Sequence, residues 1–294
     1  GYIEVGYAVH SGLLLEKENA GARIDSGELN WILAAKTVSC LVMPVCNAES
    51  SPAAVFEVTG EDASDYLQSQ VSNQVEGGPE NAVVYTLWLN DRGKVEGDSW
   101  VFRRNRERFV LVAPFLPAES LETLIERHVI ADDVEWEDRT ESVTGRVLLA
   151  DHWEEISRFS GMEIPEEGRF VELEGGGVAW RNPRRSRRPA LELVGPASVL
   201  RAVDERRGKA GKMLTGERAA RELERERIRA GVPAVPGDVG ERDTPFDLGL
   251  VDAAVSFRKG CYLGQEVMAK LKSGGRAPNR VIAPVEIRNV SSDL

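Results

Sequence analysis

Apolar and polar residues alternate in "AVFEVTG" (54–60), which predicts a strand that stops at Gly60. The next residues, "EDASDYLQSQV", place Ala63, Leu67 and Val71 at helical spacing, with acidic residues in the first turn where the helix dipole favours them. "NAVVYTLWL" and "SWVFRRNRERFVLVA" read as strands, and the first leads into a turn at "NDRGK". "PAESLETLIERHV" predicts a helix with Leu121, Leu124, Ile125 and Val129 on one face.

One part of this pattern recurs. "FEVTGEDASDYL" (56–67) and "LELVGPASVLRAV" (191–203) both run apolar-Glu-apolar-x-Gly into a helix. Glu57 corresponds to Glu192 and Gly60 to Gly195 at one constant offset. A strand–Gly–helix unit that recurs once implies a duplicated α+β half, since a solenoid needs three or more units.

Two later segments are dense in arginine. "WRNPRRSRRPA" (180–190) holds five arginines and two prolines. It reads as an exposed, mobile connection, with a nucleic-acid contact as the alternative, although no aromatics are interleaved to stack bases. "TGERAARELERERIRAGVP" (215–233) predicts a helix with opposite charges at three- and four-residue spacing, ended by Gly231 and Pro233. Arg227 falls among Ala219, Ala220, Leu223 and Ala230 on its apolar side. There it must either snorkel or meet a buried anion.

A length of 294 residues implies about two domains, and 42% hydrophobic with 29% charged residues is the profile of a soluble globular chain. The net charge of −11 sets the bulk surface against nucleic acid and anionic membrane. Cys40, Cys46 and Cys261 are an odd count without a C-x-x-C pair, which fits a reducing compartment and no disulfide framework. The start "GYIEVGYAVHSGLLLEKENAG" has no basic stretch ahead of an apolar run, so no signal peptide is expected. The run around "CLVMPVC" is far short of the ~18 residues of a membrane helix.

The densest candidate chemistry is "RKGCYLGQE" (258–266). Arg258 and Lys259 favour a thiolate at Cys261, and Gly260 and Gly264 permit a turn that brings backbone N–H groups toward the sulfur. The histidines, His10, His128 and His152, are all remote in sequence, so no Cys–His pair is evident. One thiolate cannot hold an iron–sulfur cluster alone; a cluster contact would be transient or shared, and no resident metal is expected. The plain alternative is a small buried cysteine beside a core Tyr262.

This motif resembles the Lys-Gly-Cys-Tyr-x-Gly-Gln-Glu signature of the folate-binding YgfZ proteins, relatives of the glycine-cleavage T-protein (aminomethyltransferase); Lys259 through Glu266 match every fixed position. Arg227, Gly231 and Pro233 resemble the family's Arg-x-x-x-Gly-x-Pro step, and Thr-Pro and the Gly249–Leu250 turn follow as they do there. "VTGEDASDYLQSQVSNQV" is similar to its Gly-x-Asp-Ala … Leu-Gln-x-Gln-x-x-Asn run. The resemblance covers roughly residues 52–284. It implies an α+β fold of duplicated antiparallel, ferredoxin-like units around a central folate channel. A C-terminal β-barrel follows in the family, and here only "VIAPVEIRNVSSDL" is left for it, about one strand. The expected division is 1–145, a first folate-binding half; 146–280, a second half carrying the motif; and 281–294, the start of a truncated barrel.

The resemblance also implies roles. Cys261, Lys259 and Asp98 would carry chemistry. Gln70, Asn73, Arg227, Tyr262, Gly264, Gln265 and Glu266 would hold tetrahydrofolate or a one-carbon derivative, with the arginine suited to the ligand's carboxylate tail. The implied function is a cytoplasmic accessory role in iron–sulfur cluster assembly or repair and, through it, in tRNA modification. Its partners would be iron–sulfur enzymes or assembly factors, with no membrane. One alternative is a tetrahydrofolate-dependent aminomethyltransferase or demethylase, and whether there is turnover is left open. Three departures weigh against aminomethyl transfer. The T-protein's catalytic aspartate falls at Gly97 or Asp98, Arg229 stands where a glutamate holds the pterin, and T-proteins have another residue at Cys261. A third reading is direct tRNA binding through the 181–188 arginines.

Overall fold

The computed structural model describes residues 45–206, 213–240 and 242–274. Cys40, the N-terminal stretch and the segment 281–294 expected to begin a barrel lie outside the described residues. The described chain is α+β, with two five-stranded antiparallel sheets.

The first sheet has the order β3-β4-β5-β2-β6, from β2 (Ala54–Thr59), β3 (Ala82–Leu89), β4 (Val95–Arg103), β5 (Arg108–Ala113) and β6 (Glu135–Asp138). The second has the order β1-β7-β10-β9-β8, from β1 (Val45–Ser50), β7 (Thr144–Ala150), β8 (Phe170–Glu172), β9 (Val178–Arg181) and β10 (Ala190–Gly195). β1 precedes the first sheet in sequence but pairs with β7 of the second, Val45 opposite Ala150. From β1 onward the described chain thus leaves the second sheet, builds the first, and returns.

Helices α1 (Ala63–Gln70) and α2 (Ala118–Glu126) cover the outer face of the first sheet, where Phe56, Val58, Val101 and Leu111 pack against Leu67, Leu121 and Ile125. α3 (Trp153–Ser160) and α4 (Ala197–Arg206) cover the second sheet, with Ile156 and Leu200 against Leu148, Leu191 and Leu193. α5 (Gly216–Ala230) lays Ala219 and Leu223 on Ala48, Val147 and Leu149. The inner faces meet each other: Phe102 of β4 stands edge-on to Trp180 of β9 at 4.8 Å and to Phe170 of β8 at 5.4 Å. α6 (Val251–Ala254), α7 (Gln265–Ser273) and the connection between them close this inner core with Ala254, Met268 and Tyr262 respectively.

Burial on both faces explains why β4 reads as a nearly continuous buried run. Its residues alternate in destination. Val101 goes to the helical side, while Trp100 and Phe102 go to the inter-sheet side.

The repeat is a structural one. β2 leads through Gly60 into α1, and β10 leads through Gly195 into α4. Each glycine serves a close approach. A Cβ on Gly60, at φ +134°, would lie 1.9 Å from the Asp133 carbonyl oxygen. One on Gly195 would lie 3.0 Å from the Gly176 oxygen. The matching glutamates both meet arginine: Glu57 pairs with Arg104, Arg108 and Arg139, and Glu192 with Arg185. Burial pushes the Glu57 pKa up, but these cations outweigh it and hold the carboxyl below its ordinary value.

Candidate functional site

Two distant stretches are stitched together where α1 ends. Its backbone turns extended at Val71, so Ser72 and Asn73 leave the helix toward β3. The Ser72 hydroxyl donates to the Ala254 carbonyl at 2.6 Å, and Ser256 N–H donates back to the Ser72 carbonyl at 2.9 Å. The Asn73 amide donates to the carbonyls of Tyr85 (2.9 Å) and Ala253 (3.3 Å). Lys259 completes the seam by donating to the carbonyls of Val71 at 2.6 Å and Asn73 at 2.7 Å. Burial pulls the Lys259 pKa down to about 7, against a partial upward pull from Glu76. Asn73 and Lys259 therefore act on backbone carbonyls. Gln70 sits beside this seam, its Oε1 2.9 Å from His128 Nδ1.

The rest of the cysteine motif divides between inside and outside. Cys261 is exposed, and so are Arg258 and Gly260. Tyr262 turns inward with its ring 5.1 Å from the Lys259 ammonium, and its hydroxyl has no partner among the described residues. Gly264, at φ +82°, opens α7, and a Cβ there would lie 2.7 Å from the Asn90 carbonyl. The motif's second glycine thus lets α7 rest on the 90–93 turn that leads into β4. Gln265 begins α7, and exposed Glu266 lies 3.7 Å from Lys270.

Asp98 sits on the inter-sheet face of β4 and is almost fully buried, at 2% exposure. Its Oδ2 accepts the Tyr85 hydroxyl at 2.8 Å. The Arg184 guanidinium lies over the Tyr85 ring at 3.9 Å. Trp100 packs against Tyr85 (5.2 Å between centroids) and against Trp180 (6.1 Å). Burial raises the Asp98 pKa to about 6, with the Arg184 charge and the Tyr85 hydrogen bond pulling the other way. Burial, with Asp98 adding to it, holds the Tyr85 phenol well above its ordinary value.

This cluster is under-satisfied. Asp98 Oδ1, Trp100 Nε1, Trp180 Nε1 and Arg184 Nη2 are buried without a hydrogen-bond partner among the described residues. Buried polar groups are ordinarily paired, and each unpaired one costs ~1–3 kcal/mol. Several in one core cluster are unusual, and this sets the region around Asp98 apart from the rest of the inter-sheet core.

The 180–190 segment, expected to be exposed, is largely turned inward. Trp180, Asn182, Arg185 and Ser186 are buried. Arg181 lies over Trp153 at 4.6 Å, Arg185 is bidentate to Glu192, and Arg188 pairs with Glu226 at 3.3 Å. Arg187 is exposed. Carboxylates brought from β10 and α5 draw the arginines inward, away from the arrangement a phosphate backbone would need. A cavity of about 430 Å³ lies beside it, lined by Trp153, Arg181, Arg187 and Arg188 among others.

Arg227 is buried and meets two carboxylates rather than snorkelling, the exposed Glu224 and the largely buried Asp238. It pairs with Glu224 and with Asp238 at 2.7 Å and also donates to the Val232 carbonyl. Burial disfavours the cation, but these carboxylates raise its pKa. It lines a cavity of about 500 Å³ together with Phe115, Arg185 and Glu224. Arg229 is exposed on the same helix.

The structure thus joins Lys259 with Asn73, and Tyr262 shares one core cluster with Tyr85 and Trp100. It leaves Cys261 and Glu266 at the surface. Tyr85, Trp100, Trp180 and Arg184 were not legible as site residues. Their one hint was alternation, which aims Tyr85 and Trp100 at a shared face. Among the described residues there is no group of three or more His, Cys, Asp or Glu that could hold a metal, and no helix long and apolar enough to cross a membrane.

Residues 40–148 match the family described as the GCVT N-terminal domain. The chain is 28% identical over 232 residues to the 4-methylaminobutanoate oxidase (formaldehyde-forming) of Paenarthrobacter nicotinovorans, a match covering 75% of this chain and 28% of the oxidase. It is 22% identical over 234 residues to the aminomethyltransferase of Staphylococcus carnosus, covering 76% of this chain and 63% of that protein. Among solved structures, the glycine cleavage system aminomethyltransferase T from Bartonella henselae superimposes with a TM-score of 0.67 at 18% identity, covering 81% of this chain and 65% of that one. The structural likeness shows that the fold is the aminomethyltransferase fold. The family match supports a place in the glycine-cleavage T-protein superfamily. The chain spans less than two thirds of the length of each of these relatives.

Proposed function

We propose that this chain binds a reduced folate, tetrahydrofolate or a one-carbon derivative, between its two sheets at Asp98. The carrying observation is the buried, under-satisfied cluster of Asp98, Trp100, Trp180 and Arg184. A pterin is a flat ring with hydrogen-bonding edges, and this cluster combines aromatic side chains with unpaired polar atoms, the residue types such a ring uses. Asp98 and Arg184 would hold the ring's polar edge, and Trp100 and Trp180 would enclose it. Tyr85 fixes Asp98 through the 2.8 Å hydrogen bond. With a pKa near 6, Asp98 can hold or release a proton at Oδ1 close to neutral pH. A bound reduced folate supplies nitrogens that carry a one-carbon unit. By their names, two of the similar proteins handle such units: one forms formaldehyde and one transfers an aminomethyl group.

Within that class the cysteine motif favours an accessory protein of the YgfZ type, supporting iron–sulfur cluster assembly or repair and thereby tRNA modification. Cys261 stands exposed on the outer surface while its neighbour Tyr262 reaches the core. That arrangement suits a thiol that meets a partner protein rather than one that attacks a guest at Asp98. A transferase is the second reading, favoured by a buried aspartate with a raised pKa near the position where T-proteins keep their catalytic acid.

The test is an anaerobic calorimetric titration of the 294-residue chain with tetrahydrofolate. Micromolar binding is expected in the wild type and in Cys261→Ser, and loss of binding in Asp98→Asn. Absence of binding in the wild type sinks the proposal. Consumption of a methylated or aminomethylated donor at catalytic protein concentration would select the transferase reading instead.

A further inference from the structure

The five arginines of the 180–190 segment are unequally served. Arg185 meets Glu192, Arg188 meets Glu226 and, at 3.9 Å, Asp151, and Arg184 lies over Tyr85. Arg181 and Arg187 have no carboxylate partner among the described residues. Arg181 is fixed without one: its Nε donates to the Pro165 carbonyl at 2.6 Å, and its guanidinium lies over the Trp153 ring at 4.6 Å. Arg187 is exposed. Arg181, Arg187 and Arg188 all line the cavity of about 430 Å³, which Trp153, Glu167 and Ala230 bound from other parts of the chain. The stretch that carries these arginines is pinned from within. Asn182 donates to Glu192 and accepts the Arg184 N–H at 2.9 Å. The Ser186 hydroxyl donates to Glu226 at 2.6 Å and accepts the Arg188 N–H at 3.0 Å.

We infer that this cavity is a binding site for a small organic phosphate monoester, separate from the site proposed at Asp98. The charge matches. The chain as a whole carries −11, so a surplus of cations here is local and draws an anion to this one place. Two guanidiniums without a carboxylate call for about two negative charges, and a phosphate monoester carries roughly −1.5 to −2 near pH 7. The geometry matches as well. Guanidiniums grip phosphate oxygens through paired N–H groups, and three of them on one cavity suit the three terminal oxygens of a monoester. Because the backbone that carries them is already held, little ordering is left to oppose binding. The cavity is larger than a phosphate needs and leaves room for an organic part the size of a sugar. Glu167 stands on the wall to accept a hydroxyl from that part, and its charge opposes a second anionic group. A single phosphate therefore fits better than a diphosphate or a nucleic-acid backbone.

The experiment is calorimetric titration of the intact chain, at low ionic strength, with ribose 5-phosphate, ribose, inorganic phosphate and malate. Ribose 5-phosphate is expected to bind, inorganic phosphate and malate more weakly, and ribose not at all. Arg181→Gln and Arg187→Gln are each expected to weaken ribose 5-phosphate by ~10-fold, the loss of a charge-assisted contact. Arg221→Gln removes an equal charge from an exposed position on α5 and is expected to leave the affinity unchanged. Arg187 has no partner to strand, so its variant tests the site without disturbing the fold, and melting curves confirm this for each variant. No binding of ribose 5-phosphate up to ~10 mM, a free energy weaker than about −3 kcal/mol, overturns the inference. Affinity that survives in both Arg181→Gln and Arg187→Gln overturns it, and so does an equal loss in Arg221→Gln, which would report general charge rather than this cavity. Ribose, inorganic phosphate or malate binding as tightly as ribose 5-phosphate overturns the assignment of a phosphate ester. None of these outcomes bears on the folate reading, which has its own titration.

Discussion

Lys259 donates a 2.7 Å hydrogen bond to the carbonyl of Asn73, 186 positions earlier in the chain. A second bond, to Val71, makes the ammonium a clamp on the stretch that leaves α1. The two most distinctive stretches of the sequence are thus halves of one seam, and each supplies what the other lacks: one a buried amine, the other free carbonyls. The clamp also places Tyr262 in the core beneath it.

Lys259→Met removes the donor from both carbonyls. Each orphaned carbonyl costs ~1–3 kcal/mol, offset in part because an amine no longer has to be buried. The pH dependence is more telling. Folded Lys259 releases its proton near pH 7, whereas an unfolded lysine keeps it to about 10.5. Across that window the unfolded chain binds more protons, so this residue makes stability rise with pH. A neutral amine still has two hydrogens for the two carbonyls. Urea unfolding at pH 7 and pH 9 is expected to show a steeper rise for the wild type than for Lys259→Met. Parallel slopes would mean that the clamp stays charged.

Asp98 works in the opposite sense. Folded Asp98 holds its proton to about pH 6, and the unfolded carboxyl loses it near 3.8. Between those values the folded chain binds more protons, so this residue makes stability fall as pH rises, with the full penalty above pH 6. Asp98→Asn is expected to stabilise the ligand-free protein at pH 7.5 by roughly 1–3 kcal/mol while abolishing folate binding. Stability gained together with affinity lost is the signature of a strained functional group. A destabilised Asp98→Asn would make the carboxylate a structural element.

Arg227 has partners for every guanidinium nitrogen: Glu224 twice, Asp238 and the Val232 carbonyl. Arg227→Met is expected to cost about 3 kcal/mol, chiefly because it strands the nearly buried Asp238. Denaturant midpoints for Arg227→Met and for Asp238→Asn, alone and combined, measure this. Additive losses would show that the pair is not coupled.

Two glycine positions separate backbone freedom from close approach. Gly60→Ala drives a Cβ to 1.9 Å from the Asp133 oxygen and is expected to cost ~3 kcal/mol or more. Gly161→Ala meets nothing within 4 Å, and at φ +63° it carries only the left-handed penalty of about 1 kcal/mol. Thermal melts of the two variants should rank in that order. Equal losses would mean that the loop at Asp133 yields to the side chain.

Local periodicity decided much of this protein. Alternation located β2, β3, β4 and β5, although "SWVFRRNRERFVLVA" is two strands with a turn at 104–107 rather than one. Helical spacing located α1, α2 and α5, with Gly231 ending the last at φ +74°. The strand–Gly–helix repeat was legible from its matched spacing, although the contacts that demand each glycine, with Asp133 and with Gly176, are made by remote parts of the chain.

What stands face to face was not legible. That β1 joins the second sheet depends on pairing with β7 about a hundred residues later. The 180–190 arginines read as an outward patch because the carboxylates that draw them in lie on β10 and α5. The unpaired donors around Asp98 exist only because β4 and β9 bring Trp100 and Trp180 to the same interior. Short-range patterns record which face a side chain takes, since that is set by the backbone's own period. They carry no record of what waits across the interface, because that is set by packing between elements remote in the chain. The sequence alone determined β2 to β5, α1, α2, α5, the strand–Gly–helix repeat and the cysteine motif. Tertiary structure alone decided that Asp98 would be buried with one carboxylate oxygen unpaired.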